Sequence, residues 1–166
     1  LTIKDHLGIK SENLYELNYA TAKLDVLPMS LLIQDISKIF NSFNPHELFL
    51  PHVGDAHSDH SITFKASMAS AKWFRTKSIK RIYSYETISE TEQGFDKSNI
   101  FSPNVFIDIS SFIDKKIKLM NIYSSEMGEF PFPRSKEAII SLARLRGASS
   151  GYKFAESFML IKEFID

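Results

Sequence analysis

Apolar residues first fall into a sustained rhythm after Pro28. Leu32, Ile36, Ile39, Phe40 and Phe43 recur at helical spacing, so the pattern predicts an amphipathic helix. Ser30 is placed to cap its start, and Asn44-Pro45 stops it. Leu48-Phe49-Leu50, closed by Pro51, reads as a short buried strand. A second helix begins near Ser58, with Ile62, Ala66, Ala69 and Trp73 on one face and Phe64 and Met68 beside it. Residues 79–86 and Val105 to Ile109 read as further strands, separated by a polar loop over 87–103. Ser111, with Asp114 three residues on, is placed to cap a helix that buries Phe112, Ile113, Ile117, Met120 and Ile122. A helix from Lys136 to Leu145 ended by Gly147, a helical turn at Tyr152–Glu156 and a last strand from Phe158 to Phe164 complete the pattern. Before Pro28 the chain is polar, with Leu7-Gly8-Ile9 as an apolar knot ahead of Leu14 and Leu17.

Strands that alternate with helices predict an α/β fold, a Rossmann-like layered arrangement around a mostly parallel sheet. Residues 1–166 fit one domain by length. In such sheets ligands bind beyond the carboxyl ends of the strands. The loop 51–60 leaves the strand Leu48–Leu50 at that end, which directs the search for chemistry to it.

Composition narrows the classes. Formal net charge is zero and the basic residues are dispersed, the densest cluster being Lys77-Ser-Ile-Lys80-Arg81. A nucleic-acid footprint would be a stronger basic stripe. There is no apolar run long enough to span a bilayer. The absence of cysteine excludes a disulfide framework and fits a reducing, cytoplasmic setting, and is also compatible with a bacterial periplasm. Homo-oligomer formation is left open.

The stretch Pro51-His-Val-Gly-Asp55-Ala-His57-Ser-Asp59-His60 concentrates three histidines and two aspartates. Histidine is the commonest metal ligand and the usual acid or base near neutral pH. His57 and His60 are three apart, so at a helix start they share one side, near its positive end. Asp59 could orient a neighbouring imidazole through its second nitrogen. A catalytic zinc needs about three protein ligands and an open position. The plainer alternative is a polar loop whose histidines cap a helix and face water, and spacing alone does not separate the two.

The run P-x-x-x-D-A-H-S-D-H resembles the second motif of the PIG-L/LmbE-like zinc-dependent N-deacetylases. Other segments follow in the family's order: Leu7-Gly8-Ile9; Tyr85-Glu86 at a strand end; Phe101-x-Pro103 and the strand from Val105 to Ser110; Lys115 or Lys116, then Tyr123-Ser-Ser-Glu126; and a block from Arg146-Gly147 through Gly151 and Ala155-Glu156 to Phe158. The resemblance implies hydrolysis of an N-acetyl group from an amino-sugar derivative, with zinc as cofactor. It implies His60 as a zinc ligand and His57 as an imidazolium that polarises the substrate carbonyl. Asp59 would orient His57, and Asp55 would line the pocket.

The family's first motif, approximately Ala-His-Pro-Asp-Asp-Glu, has no counterpart in the chain; Asp5-His6 has the wrong order. That motif supplies further zinc ligands and the general base. The expectation is therefore an incomplete deacetylase domain, inactive alone, whose partner is an N-terminal segment carrying the missing groups. The competing reading is a non-catalytic α/β interaction module, or a degenerate relative that keeps His57 and His60 as relics.

Other residues carry weaker expectations. His46 and His52 read as solvated loop residues, with His52 as a candidate for a pocket rim. Trp73, Phe64 and Met68 read as core. Glu86 and Asp108 lie at strand ends, where carboxylates either contact ligands or hold loops. Arg146 could bind a sugar hydroxyl or carboxylate or anchor the turn at Gly147. The Phe130–Pro133 loop is a candidate pocket wall.

Overall fold

The computed structural model of the chain describes residues 3–165. Its helices are α1 (Ile3–Leu7), α2 (Met29–Phe43), α3 (Ser58–Ser70), α4 (Ile113–Met120) and α5 (Lys136–Ala148). Its strands are β1 (Glu47–Pro51), β2 (Arg81–Tyr85), β3 (Val105–Asp108) and β4 (Ala155–Glu163). The fold is α/β with one four-stranded sheet of order β1-β2-β4-β3. β1 and β2 run parallel, with Glu47 opposite Arg81 and Pro51 opposite Tyr85. β4 runs antiparallel to β2, with a bulge between Ile82 and Tyr83, so the sheet is mixed. None of the helices among the described residues is long and apolar enough to cross a membrane.

The chain divides into two compact units. One comprises residues 15–103 and 158–165. Here α2 lays its apolar stripe against α3, and β1 alternates so that Leu48 and Leu50 are buried while Phe49 is half exposed. Leu48, Leu50, Ala71, Ile79 and Ile82 form the core, with Phe40, Phe64, Met68 and Ile161 packed against it. Burying each large aliphatic side chain contributes about 1.5–3 kcal/mol. On the opposite face of the strands, Phe49 stacks on Tyr83 at 4.9 Å. Asn44 ends α2 in the left-handed conformation, and its amide donates to Phe40 O at 2.8 Å. A short polar side chain tolerates that conformation better than most.

The other unit comprises residues 3–14 and 104–157. Ile109, Ile113, Ala143 and Phe154 form its core, with Ile140 beside them. Ser135, fully buried, caps α5 by accepting from the amide of Ala138 at 3.1 Å.

Several local expectations shift, each for a physical reason. α2 starts one residue before Ser30, because Pro28 takes the cap position and its carbonyl accepts from Leu31 and Leu32. α4 starts at Ile113 with no side-chain cap from Ser111. The preceding turn is tied off earlier, where the Ser110 amide and hydroxyl both donate to Asp108 Oδ1. These bonds hold the Asp108 carboxyl below its ordinary pKa. Tyr152–Glu156 is not helical, and β4 already begins at Ala155. Trp73 falls beyond the end of α3 and is 64% exposed, edge to face with Phe74, so it is not core.

Gly147 does not end α5 but sits inside it, buried, where the helix meets the backbone of Tyr152 and Lys153. A Cβ there would lie 2.5 Å from Tyr152 O. Helix propensity alone favours Gly147→Ala by about 1 kcal/mol. The close approach reverses the sign. Chemical denaturation should show Gly147→Ala less stable by about 1–3 kcal/mol, the usual cost of overpacking; a gain in stability would show that the backbone yields freely.

Candidate functional site

β1 and β2 are parallel, so the chain leaves both at the same edge of the sheet. The histidine loop follows Pro51 and Glu86 follows Tyr85, which places both segments on that edge. His52 is the first side chain after β1, and it is 3% exposed. Its Nε2 lies 2.8 Å from Asn99 O and its Nδ1 3.4 Å from Ser84 Oγ. A carbonyl only accepts, so Nε2 carries the proton and Nδ1 receives the serine hydroxyl. The ring also meets Phe101 edge to face. His52 is therefore a satisfied core histidine, not a solvated loop residue. His46, by contrast, is exposed.

The loop then turns into α3. His57 occupies the N-cap, and its Nδ1 accepts from the amide of Asp59 at 3.2 Å. The amide of His60 donates to the carbonyl of His57 at 3.1 Å. The expected one-sided placement follows: the two imidazoles stack with centroids 5.1 Å apart and planes 17° apart.

The two rings are held by opposite means. His60 Nδ1 lies 2.7 Å from Asp55 Oδ2, and the Asp55 side chain is wholly buried. A carboxylate only accepts, so Nδ1 of His60 carries a proton, and in the neutral ring Nε2 keeps its lone pair. His57 is the reverse, because its Nδ1 lone pair is used by the Asp59 amide and its proton sits on Nε2. Neither Nε2 has a hydrogen-bond partner among the described residues. The pair thus offers one lone pair and one N–H. An imidazolium at His57 would place a proton on Nδ1 against the Asp59 N–H and lose the capping bond.

Asp59 does not orient His57 through its carboxylate. Its two oxygens accept from the amides of Ala22, at 2.7 Å, and Leu24, at 3.1 Å. Ala22 is in the left-handed conformation at φ 55°, which costs alanine about 1–2 kcal/mol. Asp59 therefore holds a strained segment in place, and only its backbone amide serves His57. Asp55, expected as a pocket residue, is instead buried behind His60. Its other oxygen accepts from the Thr91 hydroxyl at 2.6 Å.

Tyr85 ends β2 near this group. Its phenol pKa is raised, first by burial and then by the negative charge of Asp55. Glu86 is half-buried at the same sheet edge. Arg146 belongs to the other unit, in the last turn of α5, where its carbonyl accepts from Ser150 Oγ at 2.9 Å. In that unit Phe130 lines an open cleft with Asn121, Met127, Gly128 and Glu129. Spacing pointed to His57 and His60, but nothing in the polar loop 87–103 marked Thr91 as their neighbour.

An imidazole backed by a buried carboxylate is the usual setting of a histidine that ligates a metal. His60 fits that role. The described residues nevertheless contain no group of three or more histidine, aspartate or glutamate side chains placed to hold a metal ion. A single candidate ligand is not a complete site.

No protein-family model matches the chain. Solved structures do. The conserved protein TT1542 from Thermus thermophilus aligns with a TM-score of 0.73 at 19% identity, covering 99% of this chain and 71% of that one. N,N'-diacetylchitobiose deacetylase from Pyrococcus horikoshii, solved with its inhibitor MPG, aligns with a TM-score of 0.73 at 20% identity. That match covers 96% of this chain and 60% of the deacetylase. The fold is therefore one that carries a deacetylase, and this chain spans three-fifths of that enzyme's length.

Two measurements check the site. Asp59→Ala should speed hydrogen exchange at the Ala22 and Leu24 amides and cost about 1–3 kcal/mol of stability; unchanged exchange would mean the segment is held by other contacts. Tyr85 should ionise above the ordinary tyrosine value of about 10. Because its folded pKa is raised, the stability this provides is present below about pH 10 and lost as pH rises through the folded value. Absorbance titration of Asp55→Asn should bring the Tyr85 midpoint only part of the way back, since burial is the larger cause.

Proposed function

We propose that the chain forms part of a zinc-dependent N-deacetylase of the PIG-L/LmbE-like family, acting on an N-acetylated amino-sugar derivative. The observation that carries this reading is the pair of stacked imidazoles with opposite proton placement at the carboxyl edge of two parallel strands. A deacetylase on the same fold and the P-x-x-x-D-A-H-S-D-H run both support it. The net reaction breaks the amide C–N bond with water and yields acetate and a free amine.

In this reading His60 is a zinc ligand through Nε2, and Asp55 fixes its tautomer. His57 donates its Nε2–H to the acetyl carbonyl oxygen as negative charge develops there, and one such donor is worth about 3–4 kcal/mol. Zinc, when bound, supplies Lewis acidity and makes water a competent nucleophile near neutral pH. The remaining ligands and the general base come from a segment outside residues 1–166, as the family resemblance implies. Glu86 is the candidate for a substrate contact at the same edge. A non-catalytic module is the second reading, and it draws on the absence of a three-donor group among the described residues.

The experiment separates the roles of the two histidines in the intact protein. His60→Ala should lose most of its zinc. His57→Ala should keep its zinc and lose about 10²–10³ in kcat on N-acetyl-sugar substrates, because its donor acts mainly in the transition state. Full zinc content in His60→Ala would remove the metal assignment. No acetate release by the intact zinc-loaded protein from any such substrate would favour the module.

A further inference from the structure

His60 is aimed by Asp55, but a carboxylate with two oxygens and a free torsion does not aim anything unless it is itself fixed. Asp55 is wholly buried, so each oxygen needs a donor. One is His60 Nδ1 and the other is the Thr91 hydroxyl. The direction of that hydroxyl is also determined. Thr91 Oγ1 accepts from the amide of Thr87 at 2.7 Å, which occupies an oxygen lone pair and leaves its proton for Asp55 at 2.6 Å. The series therefore runs one way, from the Thr87 amide to the Thr91 hydroxyl to Asp55, with Asp55 left to accept from His60.

The loop that carries Thr91 is seated against the histidine loop by backbone contacts. The amide of Ala56 donates to Glu90 O at 3.1 Å. Thr91 O accepts from the Gly94 amide at 3.3 Å, and Glu90 and Thr91 amides both donate to Thr87 O. Gly94 packs directly on the carbonyl of Gly54, so closely that any Cβ would collide with it. These contacts fix the position of Thr91 relative to Asp55 without drawing on the Thr91 side chain.

We propose that Thr91 is a positioning residue for the histidine site: its hydroxyl locks the Asp55 carboxylate and, through it, keeps the His60 proton on Nδ1 and the lone pair on Nε2. The consequence for metal binding rests on the reading of His60 as a ligand; the tautomer itself does not. Removing the hydroxyl leaves one buried carboxylate oxygen without a donor. Asp55 is then free to turn toward other donors, and His60 loses the partner that selects its tautomer.

The test reads the His60 ring nitrogens by long-range proton–nitrogen NMR in the metal-free protein. Wild type should show the Nδ1–H form. Thr91→Val, nearly isosteric, should shift the population toward Nε2–H, and Thr91→Ser should restore it. In the intact protein Thr91→Val should also weaken binding of zinc alone about tenfold, the range seen when a ligand's partner is removed. A wild-type His60 spectrum in Thr91→Val overturns the proposal. So does folding of Thr91→Ser when neither Thr91→Val nor Thr91→Ala folds, because the hydroxyl would then hold up the loop instead of aiming the ring. A shifted tautomer with unchanged zinc affinity overturns the link to the metal. Normal zinc binding by His60→Ala, together with a shifted tautomer in Thr91→Val, removes the metal reading and leaves the positioning role intact.

Discussion

The buried contact between Asp55 and His60 is the constraint on which the rest of the site depends. A carboxylate with no exposed surface is stabilised only if its oxygens are matched. Matching them requires the histidine loop after β1 and the polar loop after β2 to meet, and the parallel pairing of those strands brings both to one edge. Once Asp55 is satisfied, the proton on His60 is assigned. A single hydrogen bond thus turns a ring with two equivalent prospects into one with a defined lone pair.

His57 shows how a neighbour of the same chemistry acquires the opposite character. Its ring is not paired with a carboxylate but caps α3, a use of histidine that consumes the Nδ1 lone pair. The stacked arrangement follows from the three-residue spacing at a helix start, whereas the difference in tautomer follows from what stands behind each ring. Asp59 takes part in this division only through its amide. Its carboxylate is spent on Ala22 and Leu24, where it offsets the strain of an alanine in the left-handed region.

Much of this was legible in the residues. The helix stripe from Leu32 to Phe40, the short strand at Leu48–Leu50 and the turn into α3 all follow from period and punctuation. So does the α/β class. His57 and His60 stand out because few soluble segments place so many histidines and aspartates together. What periodicity could not convey was partnership over distance. Thr91 lies 36 residues from Asp55, and a threonine in a polar loop has no distinguishing pattern. His52 looked solvated because its neighbours are loop residues, yet Asn99 and Ser84 close around it from later segments. Trp73 looked buried because the helical stripe was extended past Ser70, where α3 ends. Gly147 has the pattern of a helix terminator, but its role is set by how closely residues 152–153 approach.

The central claim is that the chain presents His60, and not His57, to a metal, through Nε2 with the proton on Nδ1. Cobalt(II) substituted into the intact protein tests it directly, because a ligating imidazole shows its remaining N–H as a strongly shifted, exchangeable proton signal. The account predicts one such signal that exchanges slowly, shielded by the bond to buried Asp55, that vanishes in His60→Ala and survives in His57→Ala. A set of shifted ring protons unchanged by His60→Ala, or one that loses a member in His57→Ala, would contradict it.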